Sequence, residues 1–185
     1  MACGLDARVY LLDTDLDRLR HLDEVMPKNC FPLISSPATI RELVLEADAI
    51  IGAVLLHGAK APKLITRNML ATMKPGTVLI DVAIDQGGCF ETSKPTTHAD
   101  PIFEVNGIVH YCVSNMPGAV PLTSTIALTN STLPYALTIA DRGWQNAAQS
   151  DPGIRDGLNI VWGKITCEGV AAAFDRPLTD PQSLL

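Results

Sequence analysis

A chain of 185 residues, 47% hydrophobic and 18% charged, can bury one sizeable core, or one and a fraction, and is too apolar to be disordered. Its 14 Lys and Arg are scattered among 20 Asp and Glu, for a formal net charge of −6, which excludes a nucleic-acid footprint. No apolar run approaches the roughly 20 residues that cross a bilayer, and Met1-Ala2-Cys3-Gly4-Leu5-Asp6 is no signal peptide, so neither a membrane nor an export route is expected.

Residues 8–12, Arg8-Val9-Tyr10-Leu11-Leu12, form a short β-rich run that ends at Asp13. Leu16, Leu19, Leu22 and Met26 follow at helical spacing until Pro27 stops them. Residues 31–34 are a second short apolar run. Ser36-Pro37 then supplies a cap and a first-turn proline ahead of an apolar stripe of Ile40, Leu43, Val44 and Ala47. Residues 49–56 are apolar on both faces, the pattern of a buried parallel strand. A loop over 57–63 and a short helix near 67–73 lead to Lys74-Pro75-Gly76, which turns the chain into a further buried strand over 77–83. A loop-rich stretch over 85–106 precedes one more strand over 108–113. This β–α alternation predicts a parallel sheet with right-handed crossovers.

Near Pro121 the character changes. Residues 125–149 are mostly helical in spacing, with Pro134 inside them as a kink or boundary, and 151–156 and 169–174 read as further short helices. No repeat or low-complexity segment occurs. The expected organisation is a sheet domain over 1–122 and a helical segment over 123–185. The five cysteines, Cys3, Cys30, Cys89, Cys112 and Cys167, are odd in number and widely spaced, with no histidine in ligand spacing. Free thiols in a reducing cytosol and no metal are expected.

Three features bear on chemistry. Asp13 ends a strand, where a doubly wound nucleotide-binding fold places a carboxylate for the adenosine ribose hydroxyls; its charge would also repel a 2′-phosphate and favour NAD. Taken alone, Asp13 reads first as a cap for a helix starting at Thr14, because acidic residues often end strands before helices. None of the 13 glycines forms G-x-G-x-x-G, and nothing can precede Asp13 by the roughly 20 residues that fingerprint requires. The chain therefore reads as beginning inside a Rossmann unit. The fold expected is α/β, an incomplete Rossmann-type doubly wound parallel sheet followed by a helical C-terminal segment.

Ile84-Asp85-Gln86-Gly87-Gly88-Cys89 follows a buried strand, and loops at the carboxyl ends of parallel strands line the ligand crevice. Its paired glycines allow close backbone approach or positive φ, and Asp85 is a carboxylate placed to meet a nicotinamide and a small cationic substrate. A solvated turn has the same pattern. Ser114-Asn115-Met116-Pro117-Gly118-Ala119-Val120-Pro121 likewise follows a strand. Asn115 offers a donor and an acceptor suited to a carboxamide and Met116 an adaptable apolar wall, though Asn-Met-Pro-Gly is also a simple turn.

Together with Ala49-Ile50-Ile51-Gly52-Ala53-Val54-Leu55, Gly58-Ala59-Lys60-Ala61-Pro62-Lys63-Leu64, Met73-Lys74-Pro75-Gly76 and Pro95-Thr96-Thr97-His98, these loops resemble the alanine dehydrogenase family, whose relatives include the NAD-binding subunit of proton-translocating transhydrogenase. Asp81-Val82-Ala83-Ile84-Asp85-Gln86-Gly87-Gly88-Cys89-Phe90-Glu91 is the longest matching run, and the likeness extends through Tyr111-Cys112-Val113, Thr123-Ser124-Thr125, Ala127-Leu128-Thr129-Asn130 and Leu133-Pro134-Tyr135. The resemblance implies an enzyme that interconverts L-alanine with pyruvate and ammonium using NAD, usually as a hexamer. It implies that Asp13 is the ribose carboxylate, with Arg18 along the adenosine, Ser35 beside the adenine, and Val54 and Leu55 supplying backbone along the cofactor. It places Val82, Ala83, Ile84 and Asp85, with Val113, Ser114, Asn115 and Met116, around the nicotinamide, and makes Asp85 the catalytic aspartate that assists the amino group or the water of the carbinolamine step. Lys94 stands where the family more often has arginine, which keeps the charge and loses the planar fork.

In that family a histidine acid/base and the lysine and arginine that grip the substrate carboxylate lie in an N-terminal domain; His98 belongs to the Pro-Thr-Thr-His loop instead. The implied protein is inactive alone, weak for NAD without a phosphate loop, and in need of a homo-oligomer or a complementary N-terminal chain. Its helices after residue 122 resemble those that fold back onto that domain and would expose an apolar face. The alternatives are a non-catalytic nucleotide-binding or oligomerisation fragment acting with a partner chain, and an unstable remnant with open strand edges.

Overall fold

The computed structural model describes residues 1–55 and 61–185, so Leu56 at the end of the third apolar run, the loop residues 57–60 and the family-like Gly58-Ala59-Lys60 lie outside the described residues. Val9–Asp13 (β1) and Cys30–Ile34 (β2) pair in parallel, Val9 opposite Cys30 and Asp13 opposite Ile34. Leu16–Val25 (α1) connects them, and its cap is Asp15, whose side chain accepts from the Asp17 and Arg18 amides. The cap considered for Asp13 therefore sits two residues later. Asp13 Oδ1 instead takes the Thr14 and Asp15 amides at 2.7 and 3.1 Å, closing the turn out of the strand. Ser36 caps Pro37–Leu43 (α2), its hydroxyl accepting from the Thr39 amide at 3.1 Å.

Four further strands follow: Ala49–Gly52 (β3), Val78–Asp81 (β4), Ile102–Val105 (β5) and Ile108–Tyr111 (β6). They lie in the order β3-β4-β6-β5, with Arg67–Leu70 (α3) between β3 and β4 in sequence. β3, β4 and β6 are parallel; β5 is an antiparallel edge. β5 replaces part of the expected loop and makes the sheet mixed. Its hairpin turns on Asn106 and Gly107, both at positive φ (54° and 78°), the geometry that matches strand twist, and Asn-Gly between Val105 and Ile108 was its signal in the sequence.

β3 is shorter than expected and is not buried on both faces, since Ile51 is 63% exposed. Burial on both faces needs neighbours, and among the described residues β4 is the only strand beside β3, as β2 is the only strand beside β1. The two sheets nevertheless share a core: Leu12 of β1 and Ile50 of β3 pack against buried Ile40, Val44, Leu70, Leu79 and Phe90. A Cβ on Gly52 would overlap Cys89 Sγ and lie 2.8 Å from Phe90 Cζ, so β3 ends where the next loop presses directly on its backbone.

Pro121–Arg142 (α4) runs through Pro134, so the helix boundary considered there is absent, and ends at Gly143, φ 74°. Proline leaves the Asn130 carbonyl without a helical donor, and α4 has no buried residue, so water can serve that carbonyl. Trp144–Ser150 (α5) and Pro152–Asp156 (α6), the latter capped by Asp151, build a second cluster of Ala147, Ala148 and Ile154 with Leu158 and Leu185. Ile160–Val161 (β7) and Lys164–Ile165 (β8) form a hairpin on Trp162-Gly163, both at positive φ, within a segment expected to be helical; Glu168–Phe174 (α7) is the last α-helix. No helix among the described residues is long and apolar enough to cross a membrane.

Candidate functional site

β4 and β6 are parallel neighbours, with Ile80 opposite Tyr111, so the segments leaving their carboxyl ends emerge side by side. β4 stops at Asp81, short of the strand end expected at Ala83, because the chain folds back onto the Asp81 carboxylate. That carboxylate is wholly buried. Its Oδ2 accepts from the Cys89 amide (2.9 Å), the Phe90 amide (3.3 Å) and, at very short range, the Ser93 hydroxyl. Between these anchors the chain makes a 3-10 turn over Val82–Gln86 and reverses at Gly87 and Gly88, φ 86° and 75°. A Cβ on Gly88 would lie 2.7 Å from Asp81 Oδ2, so glycine is required there on two counts. Asp85, on the 3-10 turn, is exposed and makes no hydrogen bond or ion pair with any described residue, whereas Ala83 and Ile84 beside it are buried.

The opposite side of this loop is held by residues 61–64. The Ala61 amide donates to Gln86 O (3.1 Å) and the Leu64 amide to Cys89 O (2.7 Å). Lys63 Nζ donates to Gly87 O and Gly88 O at 2.7 Å each and to Phe90 O at 3.2 Å. Five successive carbonyls are thus taken by three residues.

After β6, Cys112 and Val113 are wholly buried, and Thr96 bridges them by donating its amide to Cys112 O (2.9 Å) and accepting from the Ser114 amide (3.2 Å). Asn115 turns in the left-handed region, φ 58°, with its side chain exposed and its carbonyl accepting from His98 Nε2 at 3.0 Å. Met116–Ala119 is a 3-10 turn, tied to α4 by the Ser124 hydroxyl, which donates to Pro117 O at 2.8 Å.

Behind these loops lie buried titratable groups. His110 Nδ1 is 3.0 Å from Ile108 O; a carbonyl only accepts, so Nδ1 carries the proton and Nε2 of the neutral ring accepts from the Thr92 hydroxyl at 2.7 Å. Burial holds its pKa below the usual 6.5. Burial, and then the Asp81 charge, push the Cys89 thiol from 9.0 up to about 12. Folding thus favours neutral imidazole and protonated thiol. The His110 contribution is present above pH 6.5 and is lost as pH falls, while the Cys89 contribution is full below pH 9.0 and is lost as pH rises towards 12. Melting temperature measured against pH is expected to be highest between these limits and to fall on both sides; a curve still rising above pH 9.0 would contradict the Cys89 assignment.

Most of the residues singled out in the sequence stand at carboxyl ends of parallel strands. Asp13 ends β1 and Ser35 follows β2, with the Ser35 amide donating to Asp13 O at 2.8 Å, and Asp13 Oδ2 has no partner among the described residues. Val54 and the exposed Leu55 follow β3; Val82, Ala83, Ile84 and Asp85 follow β4; Val113, Ser114, Asn115 and Met116 follow β6. Arg18 lies in the first turn of α1, exposed. The Lys94 ammonium sits 4.4 Å from the centroid of the Phe103 ring on β5 and has no partner from the Asp85 loop. The structure brings together Asp13 with Ser35, and the loop of β4 with that of β6; no hydrogen bond joins one group to the other among the described residues. Lys63, Asp81 and Ser93 had not been singled out. Asp81 had a signal, a charge inside an apolar run that demands buried partners.

Residues 1–168 match the family model described as alanine dehydrogenase/PNT, C-terminal domain. The chain is 55% identical over 185 residues to an alanine dehydrogenase of Halomonas elongata and 51% identical to one of Mycolicibacterium smegmatis, covering all of this chain and 50% of each relative. It therefore spans about half the length of the curated relatives it matches. A solved L-alanine dehydrogenase superposes with a TM-score of 0.81 at 44% identity, over 95% of this chain and 48% of that one. A transhydrogenase from Sinorhizobium meliloti matches at TM-score 0.60 and 25% identity, over 68% of this chain and 36% of its own.

Proposed function

We propose, since the chain belongs to the alanine dehydrogenase/PNT C-terminal domain family, that it supplies the NAD-binding half of an enzyme oxidising L-alanine to pyruvate and ammonium. The observation that carries this reading is a carboxylate, Asp85, without a partner among the described residues, on a loop whose backbone is tied down on both sides and which leaves β4 beside the strand that leads to the exposed Asn115. NAD fits these residues: Asp13 Oδ2 has no hydrogen bond among the described residues and is left for ribose hydroxyls, and Asp85 and Asn115 are exposed polar groups after the carboxyl ends of neighbouring parallel strands. When bound, NAD supplies the acceptor for the hydride leaving alanine Cα. Asp85 then holds the substrate ammonium and steadies the water that replaces nitrogen, while the acid/base group of the other half takes the proton. The groups that grip the substrate carboxylate come, on this reading, from the other half of the full-length enzyme, and assembly into a homo-oligomer belongs to the same proposal. A cytoplasmic setting also belongs to it, supported by five free cysteines, four of them buried.

The test mixes the purified chain with the separately produced N-terminal half of the Halomonas elongata relative and follows alanine-dependent NADH formation. Expected are no turnover by either half and turnover on mixing. Turnover by the chain alone, or none from two folded halves that bind each other, opposes the proposal.

A second reading, a non-catalytic nucleotide-binding or assembly fragment, is favoured by α4. Leu122 and Leu128 are 75% and 65% exposed and no residue of the helix is buried, which suits a surface that docks on another polypeptide. Association without turnover in the same mixture would support it.

A further inference from the structure

We infer that Lys63 is a positioning residue that fixes the backbone of the loop carrying Asp85, an inference whose catalytic meaning rests on the role proposed for Asp85. Asp85 has no partner among the described residues, so its place is set by the backbone of residues 82–90. The amides of that segment are satisfied from within: Gly87 donates to Ile84 O and Gly88 to Ala83 O, both at 3.0 Å, and Cys89 and Phe90 donate to the buried Asp81. The carbonyls face the other way. Three of them, from Gly87, Gly88 and Phe90, converge on the Lys63 ammonium, whose three protons match three acceptors. In extended chain, successive carbonyls point to opposite sides. Carbonyls 87 and 88 reach the same cation because both glycines adopt positive φ. A compact ammonium suits three acceptors around one point, which the planar guanidinium fork does not. Without it, these carbonyls would turn to water and the 3-10 turn bearing Asp85 would lose one of its two walls.

The experiment compares Lys63→Met, which keeps the length of the stem and removes the donors, with the parent chain. Hydrogen exchange of the 185-residue chain is expected to accelerate about 10-fold at the Gly87 to Phe90 amides and to stay unchanged in β1 and β2. Equal exchange in both proteins, or loss of protection throughout the chain, overturns the inference. In the mixed halves, kcat is expected to fall about 10-fold with KM for NAD held within about 3-fold, because a misplaced Asp85 carboxylate costs rate rather than cofactor binding. An unchanged kcat beside an active parent mixture also overturns it. An inactive parent mixture defeats the role proposed for Asp85 instead, and the exchange result alone then decides whether Lys63 orders the loop.

Discussion

Asp81→Ala is expected to lower folding stability by about 3–5 kcal/mol, a large share of what a domain of this size possesses. The carboxylate is wholly buried and accepts from two amides and one hydroxyl, with the Cys89 thiol a weaker fourth donor at 3.5 Å. Alanine leaves those donors facing a dry cavity, each costing roughly 1–3 kcal/mol if unpaired. Some relief comes from water entering the space, so the losses do not simply add. Asp81→Asn keeps the shape but turns an NH2 towards donors on at least one side, and an intermediate loss of about 1–3 kcal/mol follows. Urea unfolding of the three proteins checks both values. A loss below about 1 kcal/mol for Asp81→Ala would mean that the loop's amides find other acceptors.

The same residue shows where the sequence was readable and where it was not. Local periodicity carries helices and strands, which is why the apolar runs at β1, β2, β4 and β6 and the Ser36-Pro37 start of α2 were visible. Strand-end position is also local, so Asp13, Asp85 and Asn115 could be named from spacing and family likeness alone. The clamp was not visible, since Lys63 meets its acceptors 24 to 27 residues away and spends its charge on backbone oxygens, which leave no mark in side-chain chemistry. β3 failed for a related reason. Ala49-Ile50-Ile51-Gly52 has the composition of a fully buried strand, but burial depends on which strands lie beside it, and no window of sequence contains that. β5 is a different case, because its Asn-Gly turn was in plain view and the alternation of Ile102-Phe103-Glu104-Val105 was too short to outweigh a loop-rich setting. At Pro134 a rule made for helix interiors was applied to a helix that has no buried residue, where the freed carbonyl can be hydrated.

Asp85→Asn is expected to behave in the opposite way to Asp81→Ala, although only four residues separate them. Asp85 is exposed and makes no hydrogen bond or ion pair with the described residues, so its replacement by an isostere should leave stability within about 0.5 kcal/mol of the parent chain. In the mixed halves, the same change is expected to lower kcat by about 10²- to 10³-fold, the range typical for loss of one group that stabilises charge on the reacting atoms. The neutral amide does not balance the charge of the substrate ammonium. KM for NAD should move little, because ribose recognition is assigned to Asp13 on a separate strand end. Steady-state kinetics at saturating alanine, paired with thermal unfolding of the chain, reads both halves of the prediction. If kcat survives, the substrate ammonium is held by a group outside this chain and the exposed carboxylate serves another purpose. If stability falls with rate, Asp85 holds the loop as Asp81 does, and the division of labour between one buried carboxylate that fixes the backbone and one exposed carboxylate that acts on substrate is wrong.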